Sequence, residues 1–140
     1  GTVSLSSSDP KDAPIIQPNF LEEKEDLDQL VKGGELVYKL MKDEALRKHT
    51  LRDRLPFDRN SQDSLIKHIK KTLETVYHPV GTCKMGVDSM AVVDPMLKVH
   101  GISNLRVVDA SIMPLIVSGN TNAPVYMIAE KASDMILNNF

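Results

Sequence analysis

The side chains here best suited to moving protons are four histidines, His49, His68, His78 and His100, because imidazole titrates near neutrality and is the commonest general acid or base. His49 and His68 stand among Lys and Arg and read as solvated surface positions, while His100 precedes Gly101 at the end of an apolar run and reads as turn packing. His78 is different. It lies in YHPVGTCKMG, among small, apolar and turn-forming residues, where a polar ring needs a reason to be placed. On composition alone two readings stay open for it, a proton-transferring ring or a core histidine with satisfied nitrogens.

Cys83 is the only cysteine, so the chain holds no internal disulfide and no cysteine-rich metal site. A nucleophile pair of Cys83 with His78 would need a geometry that the intervening Pro79 and Gly81 do not guarantee, and no third group is evident to orient it. A zinc site of His78, Cys83 and His100 lacks a fourth ligand and the paired spacing such sites show, so no metal is expected. The default for Cys83 is burial as a small apolar group. A second chemical feature is SGNTNAP at 118–124, directly ahead of an apolar, helix-spaced run. A Gly/Asn turn with Pro near the first helical position exposes unpaired amides where the helix dipole favours negative charge. Its plainer reading is N-capping by Asn122, worth about 1 kcal/mol, which leaves the cluster of two asparagines and a glycine unexplained.

These residues must be held by surrounding elements. Alternation over 2–6 predicts a short half-buried strand. Residues 7–19 carry Pro10, Pro14 and Pro18, so no long helix forms there and an extended loop or linker is expected. A helix begins near Leu21, with acidic first turns and an apolar stripe of Leu27, Leu30, Val31, Val37, Leu40 and Met41; Gly33 and Gly34 are placed to bend or loosen it. Residues 46–58 read as irregular surface. A second helix is expected over about 62–75, capped by Asn60 or Ser61, delivering the chain into Tyr77 and His78. Then come β-rich residues at Val92 and Val93, a strand over 97–99, and a strand at Leu105, Val107 and Val108 buried on both faces. A last helix runs from about Ala123 to Leu137, its apolar positions Val125, Ile128, Ala129, Ala132, Met135 and Ile136 keeping helical spacing.

The 140 residues are 41% apolar, enough for a modest core. With 17 basic and 19 acidic residues there is no single-sign field to attract nucleic acid or an anionic membrane surface, and no stretch reaches the length of a membrane span. The opening GTVSLSSSDP lacks an initiating Met and the features of a secretory signal, which suggests that the sequence starts inside a longer polypeptide.

The segments GTVSLSSSDP with PIIQPNF, YHPVGTCKMG, VVDPMLKVHGISNLRVVDASIMP and SGNTNAPVYMIAEKASDMI resemble, in order and spacing, the C-terminal region of the glucose–methanol–choline (GMC) flavoprotein oxidoreductases. The similarity is greatest to the arthropod glucose-dehydrogenase-like and choline-dehydrogenase-like branches, which lean extracellular. It is dense over 77–136 and only in outline over 21–76. The resemblance implies an α+β fold. Residues 1–76 would be part of a substrate-binding domain with an antiparallel sheet under covering helices, and 77–140 a strand-helix segment that completes a flavin-binding α/β domain. By position, His78 resembles the histidine that interacts with the alcohol hydroxyl, and Asn120 falls on the second catalytic position. Asp109 and Ala110 resemble a flavin-contacting turn, Asn122 and Ala123 the helix start beneath the flavin pyrimidine ring, and Val80 and Gly81 would pack close by.

The resemblance further implies FAD as cofactor and a small-molecule alcohol, sugar or choline-like substrate. His78 would take or share a proton from the hydroxyl while hydride passes to flavin. The fingerprint GxGxxG that cradles the dinucleotide occurs nowhere in the sequence. The chain by itself is therefore expected not to bind FAD tightly and to be inactive without an upstream N-terminal FAD-binding segment. The competing expectation is a non-catalytic binding or interaction module that kept this fold, its uncovered apolar stripes engaging a partner or a second copy.

Overall fold

The computed structural model describes residues 1–138, an α+β chain with a two-stranded antiparallel sheet and four α-helices among the described residues. It divides into two compact units, residues 1–74 and the remainder from Thr75 onward.

The first unit opens with a ribbon of β1 (Thr2–Ser4) and β2 (Ile15–Gln17), paired Thr2 to Gln17, Val3 to Ile16 and Ser4 to Ile15. β2 lies inside the passage expected to be loop. Pro14 and Pro18 sit outside the paired residues, and their bias toward extended geometry helps the β-branched pair Ile15 and Ile16 to form a strand. The connection is drawn together by the Ser6 hydroxyl donating to the Ala13 carbonyl at 2.7 Å and the Ser7 hydroxyl donating to Asp12 at 2.6 Å.

Helix α1 (Lys24–Met41) begins with Glu25 and Asp26 in its first turn, where acidic groups complement the dipole. It runs unbroken through Gly33 and Gly34. Gly34 serves packing instead: a Cβ there would stand 3.1 Å from Leu65 Cδ1, so the missing side chain lets α3 approach. Gly34 faces α3 and Val31 is the buried residue of α1, whereas Leu30, Val37, Leu40 and Met41 of the expected stripe are 40–58% exposed. A single-turn helix α2 (Glu44–Arg47), capped by Asp43, stands partly in the stretch read as irregular. Helix α3 (Gln62–Thr72) is capped by the Ser61 hydroxyl, which accepts from the Ser64 amide at 3.3 Å. It ends three residues earlier than expected, where Leu73 turns extended at ψ 130°. His68 is not a free surface ring, since it stacks on Phe57 with centroids 4.5 Å apart.

The second unit packs around Val93, Leu97, Ile112, Met113, Ile128 and Ala132. The expected strands over 92–108 do not join a sheet. Single-residue bridges connect Met85 to Val93, Val93 to Val99 and Lys98 to Arg106. Leu105 is 46% exposed, so the run 105–108 is not buried throughout; Val107 and Val108 are partly buried and packed against the core. A short 3-10 turn, Ala110–Ile112, leads away from it. The last helix, α4 (Asn122–Leu137), buries Ile128 and Ala132, with Val125 and Met135 packed beside them. Of the other apolar positions at helical spacing, Ala129 and Ile136 are exposed. No described helix is long and apolar enough to cross a membrane.

Candidate active site

His78 lies on the irregular segment that opens the second unit, a strap outside any helix or strand, half-buried and without a hydrogen bond among the described residues. Before it, the Tyr77 amide donates to the Thr75 hydroxyl at 3.0 Å, closing a small turn. Three residues after it, Gly81 adopts φ +86°, a left-handed conformation open to glycine. That turn sets the strap beside the 3-10 turn: the Cys83 amide donates to the Ser111 carbonyl at 3.0 Å and the Met85 amide to the Ile112 carbonyl at 2.8 Å. Val80 and Met85 pack on the same core. Cys83, expected to be buried, is of intermediate exposure.

Asp109 and Ala110 stand at the start of that turn. The Asp109 carboxylate accepts from the Ser111 amide at 2.7 Å, so this side chain holds the shape of the segment to which the strap is bonded. Residues 109–112 and the histidine-bearing strap are thus joined by backbone hydrogen bonds.

The amino end of α4 departs from the expected cap. Asn122 is the first helical residue, not the cap; Thr121 occupies the cap in αR geometry, and no side chain bonds the first-turn amides. The Val125 amide donates to the Thr121 carbonyl at 3.0 Å, and Pro124 carries no amide. The amides of Asn122 and Ala123 belong to the turn that has no intrahelical acceptors, so this end presents donors and a positive dipole. Asn120 and Asn122 are exposed. No hydrogen bond joins His78 to Asn120 among the described residues; what the strap, the 3-10 turn and α4 share is one apolar core.

His100, expected to pack in a turn, is exposed, with Nε2 3.1 Å from the Gly86 carbonyl. No group of three or more His, Cys, Asp or Glu is arranged to hold a metal among the described residues. A polar cluster that the sequence reading did not single out lies in the first unit. Lys42 and Arg59 stand 4.3 and 4.5 Å from the centre of the Tyr38 ring, and hydrogen bonding with Lys42, then Arg59, holds the Tyr38 phenol below its ordinary value. The i, i+4 spacing of Tyr38 and Lys42 was its one legible sign. It borders a shallow cleft of about 230 Å³ lined in part by Phe57, Ser61 and Leu65.

Comparison with known proteins adds a consistent set of likenesses. A family model described as GMC oxidoreductase matches residues 1–129. The chain is 45% identical over 138 residues to an alcohol dehydrogenase (acceptor) of Pseudomonas putida, covering 98% of this chain and 25% of that protein. It is 44% identical over 139 residues to the mitochondrial choline dehydrogenase of Homo sapiens, covering 97% of this chain and 23% of that one. Among solved structures it superposes on pyridoxine 4-oxidase from Mesorbium loti with a TM-score of 0.86 and 34% identity, over 95% of this chain and 26% of the other. Against a formate oxidase of Aspergillus oryzae, studied for FAD modification, the TM-score is 0.85 at 32% identity, over 98% and 24%. The chain spans about a quarter of the length of the relatives it matches.

Proposed function

The chain belongs to the GMC oxidoreductase family, and from that premise we propose that it is the C-terminal part of an FAD-dependent enzyme oxidising the CH–OH group of an alcohol, sugar or choline-like substrate. Residues 1–76 form part of the substrate-binding domain, and 77–140 carry the catalytic and cofactor-contacting groups. The observation that carries this reading is the fixed strap: His78 stands on a segment bonded through Cys83 and Met85 to the turn that begins with Asp109 and Ala110.

In this reading the His78 imidazole accepts the proton of the substrate hydroxyl, and Asn120 orients that oxygen by donating a hydrogen bond. FAD, when bound, supplies the hydride acceptor. The donor set of the chain fits such a group, because the uncapped Asn122 and Ala123 amides lie at the positive end of α4 and favour negative charge. Asp109 keeps the neighbouring turn in shape through Ser111. The chain offers no GxGxxG cradle for the dinucleotide. Tight FAD binding and activity accordingly require a separate N-terminal FAD-binding segment, and the isolated chain is inactive.

The decisive experiment is His78→Ala in the full-length protein. Turnover of an alcohol substrate is expected to fall by about 10²-fold or more with flavin content retained. Turnover within a few-fold of wild type would refute the assignment.

The exposed α1 face of Leu30, Val37, Leu40 and Met41 favours one alternative, a non-catalytic module that associates through this helix. The two readings separate on purification: flavin absorbance supports the enzyme, whereas a colourless protein that dimerises through residues 21–42 supports the module.

A further inference from the structure

We propose that Tyr77 is a positioning residue for His78 that acts through its backbone, its left-handed conformation fixing the direction in which the histidine leaves the chain. The inference rests on His78 being the proton acceptor. Among the described residues five non-glycine residues have positive φ: Asn19, Leu21, Tyr77, Leu97 and Asn104. Asparagine tolerates this region; for a bulky residue it is an outlier that the surroundings must offset. At Leu97 the offset is visible, since its side chain is 4% exposed in the core of the second unit.

Tyr77 has no such compensation. Its φ is +60° and its side chain is 79% exposed, with no stacking or cation contact to its ring among the described residues. What the conformation achieves is a bend of the backbone immediately ahead of His78, closed by the Tyr77 amide donating to the Thr75 hydroxyl. Pro79 restricts His78 from the other side, pushing it toward extended geometry. Gly81, at φ +86°, then anchors the strap against the 3-10 turn. His78 therefore stands between a left-handed residue and a proline, with little backbone freedom left. Strain that no side-chain contact offsets, placed next to the group whose aim matters, is the pattern of a preorganised site.

The test is a substitution series at Tyr77 in the full-length protein, sorted by tolerance of positive φ. Tyr77→Gly and Tyr77→Asn accept the conformation and are expected to keep kcat within a few-fold. Tyr77→Val resists it and is expected to lose about 10²-fold in kcat with KM and flavin content nearly unchanged. Melting temperature gives a readout independent of turnover, with Val lower and Gly equal to or above wild type. The inference is overturned if Tyr77→Val is as active and stable as wild type. It is equally overturned if Gly and Asn are as impaired as Val while Tyr77→Phe is normal, which assigns the effect to the ring. His78→Ala run in parallel separates the two layers. If it retains turnover, the reading of His78 fails and the positioning role with it; if it abolishes turnover while Tyr77→Val does not, only the present inference fails.

Discussion

Replacing Gly81 by Ala tests whether the strap that carries His78 is held by backbone conformation. Gly81 has φ +86°, and a Cβ built there would meet only the Met113 carbonyl oxygen at 3.4 Å, an ordinary contact. Space is therefore not the main cost; the left-handed backbone is, at about 1–2 kcal/mol for a residue with a Cβ. Gly101 supplies the calibration, because its φ is +77° and nothing lies within 4 Å of its missing Cβ. Both Ala variants are expected to lower the stability of the second unit by similar amounts, with melting shifts of roughly 4–8 °C per kcal/mol for a unit of this size. Only Gly81→Ala should disturb function. Gly81 begins the turn that brings the Cys83 amide to Ser111 and the Met85 amide to Ile112. A displacement of about 1 Å at His78 would cost up to about 10²-fold in kcat. Thermal unfolding, with anaerobic flavin reduction by substrate in the full-length protein, reads both quantities. Equal losses of kcat in the two variants would refute the argument, as would an undiminished melting temperature for Gly81→Ala beside a lowered one for Gly101→Ala.

Two adjacent glycines in α1 give a prediction of opposite sign. Gly33→Ala, with nothing within 4 Å of the new methyl group, should stabilise the first unit by about 0.5–1 kcal/mol in urea unfolding. Gly34→Ala places a methyl 3.1 Å from Leu65 Cδ1 and should lose that gain; Gly34→Leu should destabilise by about 1–3 kcal/mol. A Gly34→Ala gain equal to that of Gly33→Ala would mean that the two helices do not approach there. At Asp88, the hydrogen bond from Lys84, followed by the Met90 amide, lowers the carboxyl below its ordinary value. A depressed folded value means that this contribution is present above the ordinary aspartate range and lost as pH falls through the lowered value. An NMR titration should therefore find the Asp88 midpoint below that of an unperturbed aspartate, rising in Lys84→Met; an unchanged midpoint in that variant would refute the attribution.

Much of the helical framework was legible because period and caps are local properties. Leu65 and Ile69 at four-residue spacing with Ser61 ahead of them marked α3, and Val125, Ile128 and Ala132 marked α4. The choice of inward face was only partly local: Leu30, Val37 and Leu40 share helical spacing with Val31, yet the close approach of α3 at Gly34 decided which side was buried. β2 was hidden because its neighbours Pro14 and Pro18 signal loop, while its strand character depends on pairing with residues 2–4, far along the chain. The apolar runs over 92–108 were visible as runs, but single bridges in place of a ladder follow from which backbone groups meet.

At the candidate site composition marked His78 as unusual, a titratable ring among Pro, Gly and apolar neighbours, but left two readings open; its role was given only by the family resemblance. It also marked the Asn/Gly turn before α4, where side-chain type and helix polarity are visible in the sequence. Only the tertiary structure decided that the strap is bonded through Cys83 and Met85 to Ser111 and Ile112, that Thr121 and not Asn122 occupies the cap position, and that Tyr77 is left-handed. The reason is physical. Every non-proline residue brings the same amide and carbonyl, so which of them pair, and which dihedrals they must adopt to do so, leaves little trace in side-chain identity.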